Sequence, residues 1–304
     1  MARRNILVCG GGGVKGMMQI TALAEKERQL GDLTDFFDLM IGTSVGSINT
    51  GAIAQGMPAY KLAEMYPKLV RRMFKKKPWH KFPKLPLYDR EVFYSCWREM
   101  FKKCMIERGM FLKFAKTKLL ITSLNVVDNK NHYFKSWEKK DGKLPFELTI
   151  ARSFAAPMFF GYMIDSNDMA IWADGGCGTS NISLDEALTE SMLQNWFLKD
   201  EVHFYVFGCG FSDPSKTFYE LKNYKSIRQL MRWIAPTAGG IARIQSREEQ
   251  ISRMEAIATR YDNVHFTYYD TKIPKKMDAM DKLQYLDDYK QLGYEMVKKP
   301  LIKI

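Results

Sequence analysis

Twice within the first sixty residues an apolar run ends in glycine and gives way to a helix-forming segment. Asn5-Ile6-Leu7-Val8-Cys9 runs into Gly10-Gly11-Gly12-Gly13, and Met17 to Leu30 follows, rich in Met, Ala, Leu, Glu and Lys, with Gly31-Asp32 as a stop. Phe37-Asp38-Leu39-Met40-Ile41 runs into Gly42, and the small-residue segment Ser47 to Gln55 follows, suited to a tightly packed helix. Strand, glycine turn and helix in alternation predict parallel strands covered by helices. The expected fold is therefore α/β, three layers (α/β/α) around a mostly parallel central sheet.

Further along, Leu119 to Thr122 and His132 to Phe134 read as strands joined by a hairpin turn at Asp128-Asn129-Lys130-Asn131. Met169 to Ala173, His203 to Phe207 and Val264 to Tyr268 read as strands, and Lys282 to Val297 as a helix. Residues 61–118 have helical propensity but carry prolines at 67, 78, 83 and 86, which predicts an irregular helical insertion or cap. With no repeat and no low-complexity linker, residues 1–304 are expected to form one domain, with the chemical motifs in 5–182 and further strands and helices in 200–304.

Three segments carry chemistry. Gly10-Gly11-Gly12-Gly13-Val14-Lys15-Gly16, between strand and helix, lets several N–H groups point at one spot and forms a nest for negative charge. A phosphate or the oxyanion of an acyl transfer suits it, so Gly11, Gly12 and Gly13 are candidate oxyanion donors. Gly42-Thr43-Ser44-Val45-Gly46 is G-x-S-x-G in the strand-to-helix setting of a nucleophile elbow, which exposes the Ser44 hydroxyl on a sharp turn. Asp174-Gly175-Gly176 places an acid at a strand end, from which it can reach across the top of a parallel sheet. Read singly, each is also an ordinary tight turn.

Histidine occurs only at positions 80, 132, 203 and 265. A Ser–Asp–His triad would need Ser44, Asp174 and then His203 or His265, but both late histidines sit inside strand-like runs. That leaves the carboxylate as base. With an ordinary pKa near 4 it is a poor base in water, so a buried, pre-formed Ser44–Asp174 hydrogen bond is expected.

Taken together the segments resemble the patatin-like phospholipase family. The glycine loop resembles its oxyanion loop, Gly42 to Gly46 its elbow, Ala151-Arg152-Ser153-Phe154-Ala155-Ala156-Pro157-Met158-Phe159-Phe160 its alanine- and proline-containing block, and Asp174-Gly175-Gly176 its catalytic acid motif. The chain departs from it at Gly10, where many members have Asp, and at Ser180-Asn181-Ile182, where Asn-Asn-Pro is common. The resemblance implies a Ser44–Asp174 dyad without histidine and without metal or cofactor, an acyl-enzyme, and phospholipase A-type release of fatty acids from membrane phospholipids. It also implies that Lys15 orders the loop.

Lys plus Arg number 46 against 34 acidic residues, a net charge of +12, which favours an anionic partner. Residues 71–84 hold seven cations around Phe74, Trp79 and Phe82, a composition suited to a phospholipid surface. No nucleic-acid recognition motif accompanies it. The five cysteines form no C-x-x-C pair and read as free thiols, and no apolar run reaches membrane-spanning length. A cytoplasmic protein with peripheral membrane association is expected, of unspecified oligomeric state. Two other readings stay open: a nucleotide-binding protein using Gly11, Gly13 and Gly16 with Asp35 or Asp38 as the ribose acid, and a non-enzymatic module binding through residues 71–84.

Overall fold

A computed structural model describes residues 1–75, 86–103, 111–166, 168–212 and 241–304. Nine strands form one sheet: β1 (Arg3–Cys9), β2 (Leu39–Thr43), β3 (Lys118–Asn125), β4 (Lys130–Lys135), β5 (Met163–Asp165), β6 (Ala170–Asp174), β7 (Glu201–Phe207), β8 (Val264–Tyr269) and β9 (Ile302–Lys303). The spatial order is β5-β6-β3-β2-β1-β7-β8-β9, with β4 also pairing β3. The centre, β3-β2-β1-β7-β8, is parallel, and the remaining pairings are antiparallel.

Ten helices are described: α1 (Gly16–Leu30), α2 (Leu33–Phe36), α3 (Val45–Ala54), α4 (Ala59–Met73), α5 (Glu91–Lys103), α6 (Phe146–Ser153), α7 (Leu184–Leu193), α8 (Trp196–Lys199), α9 (Ile241–Arg260) and α10 (Leu286–Lys298). They cover both faces of the sheet. Leu7 and Cys9 of β1 pack into one apolar cluster with residues of α1, α3, α4, α6 and α10; Ile6 and Val8 pack into a second with α7, α8 and α9. Burial on both sides explains why β1 reads as an unbroken apolar run rather than an alternating one.

Pro67, expected to break a helix, lies inside α4. Proline removes one backbone donor. The loss is offset by an apolar stripe, Leu62, Tyr66, Leu69, Val70 and Met73, buried at helical spacing. This part of residues 61–118 is thus a packed layer as well as a roof over the cavity described below. The hairpin β3–β4 lies where the sequence places it, with its turn at positions 126–129.

One feature of the sheet sets the site. Along β3, β4 pairs with Leu120 to Asn125 on one edge. The other edge is shared: β2 pairs with Lys118 to Thr122, and β6 pairs with Ser123 to Asn125 in the opposite direction. The C-terminal ends of β2 and β6 therefore meet head to head, Thr43 opposite Thr122 and Asp174 opposite Ser123.

Candidate active site

Ser44 follows directly from that meeting point. It is the N-cap of α3 and holds φ 55° and ψ −125°, a region costly for a residue with a side chain. The turn is tight because α3 is pressed onto the end of β1: a Cβ at Gly46 would lie 2.1 Å from the Cys9 carbonyl oxygen. Ser44 Oγ donates to Asp174 Oδ2 at 2.6 Å, and both residues are buried. Asp174 Oδ1 accepts the Gly176 N–H at 2.7 Å, which fixes the carboxylate plane. The expected Ser–Asp contact is present, but Asp174 reaches it from an antiparallel strand laid end-on to β2, not across the top of parallel strands.

The 151–160 block, for which the sequence offered no role, lies behind both side chains. Ser153 Oγ accepts the Ser44 N–H at 2.9 Å and donates to the Thr122 carbonyl at 2.6 Å. The Ala155 carbonyl accepts the Asp174 N–H at 3.0 Å. Ser123 Oγ lies within bonding distance of the Arg152 and Ala173 carbonyls, joining α6 to β6.

The glycine loop lies against the elbow. A Cβ on Gly11 would fall 2.9 Å from Ser44 Cβ and 2.7 Å from Asn181 Oδ1, so only glycine allows this approach. The Gly11 N–H donates to the Asn181 carbonyl at 3.0 Å, and Val14 N–H to the Met280 carbonyl at 2.8 Å. Of the three expected oxyanion donors, Gly11 therefore has its amide engaged. Gly13 alone of the four consecutive glycines takes a positive φ, 62°. Buried Gln19 donates to the Gly10 and Phe207 carbonyls at 2.8 Å each, holding the loop to the end of β7. Buried Lys15 pairs with Asp278 at 2.5 Å, so it ties the loop to the C-terminal segment.

Beside the dyad lies a small cavity that opens to solvent. Ser44, Asp174 and Gly13 stand in its wall; the rest is chiefly apolar, with Ile48, Leu69, Val70, Phe74, Phe154 and Phe160 prominent. Tyr66 also faces it; burial pushes its phenol pKa well up, so it stays neutral. Phe74, read from the sequence as a membrane-facing aromatic, is buried here against Tyr88 and Phe160. Arg72 from the same stretch is paired with Glu99. Trp79, Phe82 and the cations at 76–84 lie outside the described residues.

The histidine triad is not assembled. His203 is in register with Asn5 and with His265, four residues before the Cys9 end of the sheet, about 13 Å of strand. His132 faces Asp141 and Trp172. His80 lies outside the described residues. Of the two acids the nucleotide reading offered, Asp38 precedes β2 at the far end of the sheet, where it accepts from Arg4 and the Asn5 N–H, and Asp35 lies in α2. A Cβ at Gly13 would meet the Met280 carbonyl oxygen at 2.2 Å, so the C-terminal segment packs closely on this glycine.

With this geometry in place, comparison with known proteins decides the family. The model of the family described as Patatin-like phospholipase matches residues 7–188, a span holding the glycine loop, the elbow, the 151–160 block and Asp174. The chain belongs to the patatin-like phospholipase family. This patatin-like chain is 28% identical over 205 residues to a cGAMP-activated phospholipase of Vibrio cholerae, covering 59% of this chain and 55% of the relative. A protein of the same description from Pseudomonas aeruginosa is 26% identical over 181 residues, covering 57% and 52%. The chain thus spans about half the length of these curated relatives. Among solved structures, VipD from Legionella pneumophila aligns with a TM-score of 0.43 at 10% identity, over 97% of this chain and 66% of that one.

Sequence reasoning missed Ser153, Asn181 and Met280 at the site. Ser153 and Asn181 fall in segments that the resemblance had already picked out. Met280 carries no signal, since it acts through its backbone carbonyl and side-chain bulk.

Proposed function

We propose that this chain is a lipid acyl hydrolase of the phospholipase A type, with Ser44 as nucleophile and Asp174 as base. The observation that carries the reading is the buried 2.6 Å Ser44–Asp174 hydrogen bond at the wall of an apolar cavity. Asp174 takes the hydroxyl proton as Ser44 Oγ attacks the ester carbonyl carbon. The amides of Gly12 and Gly13, next to the N-terminus of α1, face the carbonyl oxygen as it gains charge, while Gly11 supplies the close approach. The tetrahedral intermediate collapses, the C–O bond breaks, and the leaving lysolipid oxygen takes the proton from Asp174. Asp174 then draws a proton from water as that water attacks the acyl-enzyme; the acyl C–Oγ bond breaks, Ser44 Oγ takes the proton back from Asp174, and the fatty acid leaves. The acyl chain lies along Phe154, Phe160, Leu69 and Val70.

The substrate sits in a membrane, and the charge of +12 supports peripheral contact with anionic headgroups. Among the described residues no helix is long and apolar enough to cross a bilayer. The names of the two bacterial relatives attach an activating nucleotide to those proteins. The deciding experiment is therefore run with and without cGAMP: mass spectrometry of products from mixed phospholipid vesicles, comparing wild type, Ser44→Ala and Asp174→Asn. Fatty acid and lysolipid are expected from wild type alone, with both variants folded by circular dichroism. Undiminished release by Ser44→Ala would overturn the reading.

A further inference from the structure

At the end of the sheet opposite the dyad, the parallel pair β7–β8 brings together three side chains that the acyl chemistry does not use. His203 and His265 are register partners on the two strands. Glu201, two residues before His203, projects from the same face. The His203 Nε2 atom lies 2.7 Å and the His265 Nε2 atom 3.1 Å from one carboxylate oxygen, Glu201 Oε1. One ligand atom from each of the three residues lies within 4.8 Å of the others. The two imidazoles are stacked, with centroids 4.3 Å apart and planes at 27°, and both turn Nε2 toward the same Glu201 oxygen.

We infer that Glu201, His203 and His265 form a binding site for a divalent transition cation of the zinc class. Two imidazoles and one carboxylate are the donor set of zinc, nickel, copper or cobalt sites, whereas magnesium and calcium select oxygen ligands. Ligands about 2.0–2.2 Å from one ion in tetrahedral array stand roughly 3.3 Å from each other. The separations of 2.7 and 3.1 Å to the carboxylate would open by about 0.6 and 0.2 Å to reach that figure, and the two imidazole nitrogens, within 4.8 Å of each other, would settle at the same spacing. Binding would take the Nε2 lone pair of each imidazole, which places the ring proton on Nδ1 in the bound state and obliges the donor-only Arg3 to withdraw from His203 Nδ1 toward Tyr205; the carboxylate enters ionised, so no redox partner is needed. The Glu201 and His265 side chains are 43% and 36% exposed, which leaves water to complete the coordination. Arg3 stands at the other ring nitrogen of His203, 3.5 Å from Nδ1, with its firmer bond to Tyr205 Oη at 2.7 Å. The cysteine spacing gave no sign of such a site, because its ligands are joined by strand register rather than by a sequence motif. Its effect is a clip across β7 and β8, independent of Ser44.

The test uses the full chain stripped with chelator and titrated with zinc sulfate in a calorimeter. Expected are saturable one-to-one binding and a rise in melting temperature on zinc addition. Cobalt(II) in its place should show the visible absorption of a four-coordinate centre. Glu201→Gln, which keeps the shape of the cluster, should weaken zinc by more than about tenfold, the upper range being that of a lost ligand rather than a lost supporting contact. The double variant His203→Gln/His265→Gln should abolish both signals, with an unchanged far-ultraviolet spectrum as the folding control. Absence of saturable binding in wild type, or binding that persists unaltered in these variants, overturns the inference.

Discussion

Replacing Ser153 by alanine removes a single oxygen that does not itself line the cavity and yet should slow the reaction. Ser153 is fully buried, and its hydroxyl accepts the Ser44 N–H while donating to the Thr122 carbonyl. Ser44 holds a backbone conformation that L-residues seldom adopt, so the bond to its amide is one of the contacts that keep the hydroxyl aimed at Asp174. In Ser153→Ala that amide is left buried without its partner, at a cost of about 1–3 kcal/mol. If the elbow relaxes to recover this energy, the same amount is withdrawn from the transition state. At about 1.4 kcal/mol per tenfold, kcat falls by roughly fivefold to 150-fold. KM should hold, because the residues that line the cavity are untouched. Two readouts separate this from mere loss of stability: steady-state kinetics on a soluble ester, and the rate at which a fluorophosphonate labels Ser44, both measured well below the melting temperature. A lower Tm with unchanged kcat and unchanged labelling, or a loss confined to KM, refutes the reasoning.

Other outcomes follow from the same geometry. Gly11→Ala should lose nearly all activity, since the added methyl would stand 2.9 Å from Ser44 Cβ; soluble-ester kinetics on folded protein check it. Ser44→Gly should melt higher than Ser44→Ala by an amount worth about 1 kcal/mol, because glycine relieves the strained φ; equal melting temperatures would deny the strain. Asp278→Asn leaves the Lys15 ammonium buried without its counter-charge and should cost about 1–3 kcal/mol together with part of kcat, measured by urea denaturation and ester turnover. Burial raises the Glu186 carboxyl to about 6, above its ordinary value. The folded state thus holds that proton more tightly, and wild type loses stability as pH climbs from about 4 through 6. Glu186→Gln should therefore match wild type near pH 4 and exceed it by about 2 kcal/mol near pH 7.5, read from urea midpoints.

The sequence made the parallel centre of the sheet legible because both signals were local. An apolar run followed by glycine and helix formers needs no distant partner to be read, and β1-α1 and β2-α3 fall within a few residues of their expected bounds. Pairings set by long-range packing were hidden. Nothing in Met169 to Ala173 says that β6 runs against β3, since an apolar run of five residues looks the same in either direction. Pro67 misled for a related reason: propensity is local, whereas the stripe that keeps α4 intact draws its stability from the core beneath it. Phe74 shows the limit of composition, which placed it among cations at a surface while α4 turns it inward.

The absence of a histidine between hydroxyl and carboxylate has a structural cause in the register of β3. Thr122 and Ser123 are consecutive, and they pair with Thr43 and Asp174, so β2 and β6 end at adjacent positions along β3. An imidazole relaying a proton needs space for a ring and for a hydrogen bond on each side, which strand ends this close do not leave. In the proposed mechanism the same closeness is what would let the carboxylate serve as base. Its Oδ1 is anchored by the Gly176 amide and its Oδ2 already accepts the Ser44 proton, so no ordering step precedes transfer. Phe154, Phe160 and Met280 line the cavity beside Ser44 and Asp174. On the proposed mechanism, head-to-head strands would do for this site what a third side chain does in a triad: they hold Asp174 against Ser44 before the substrate arrives.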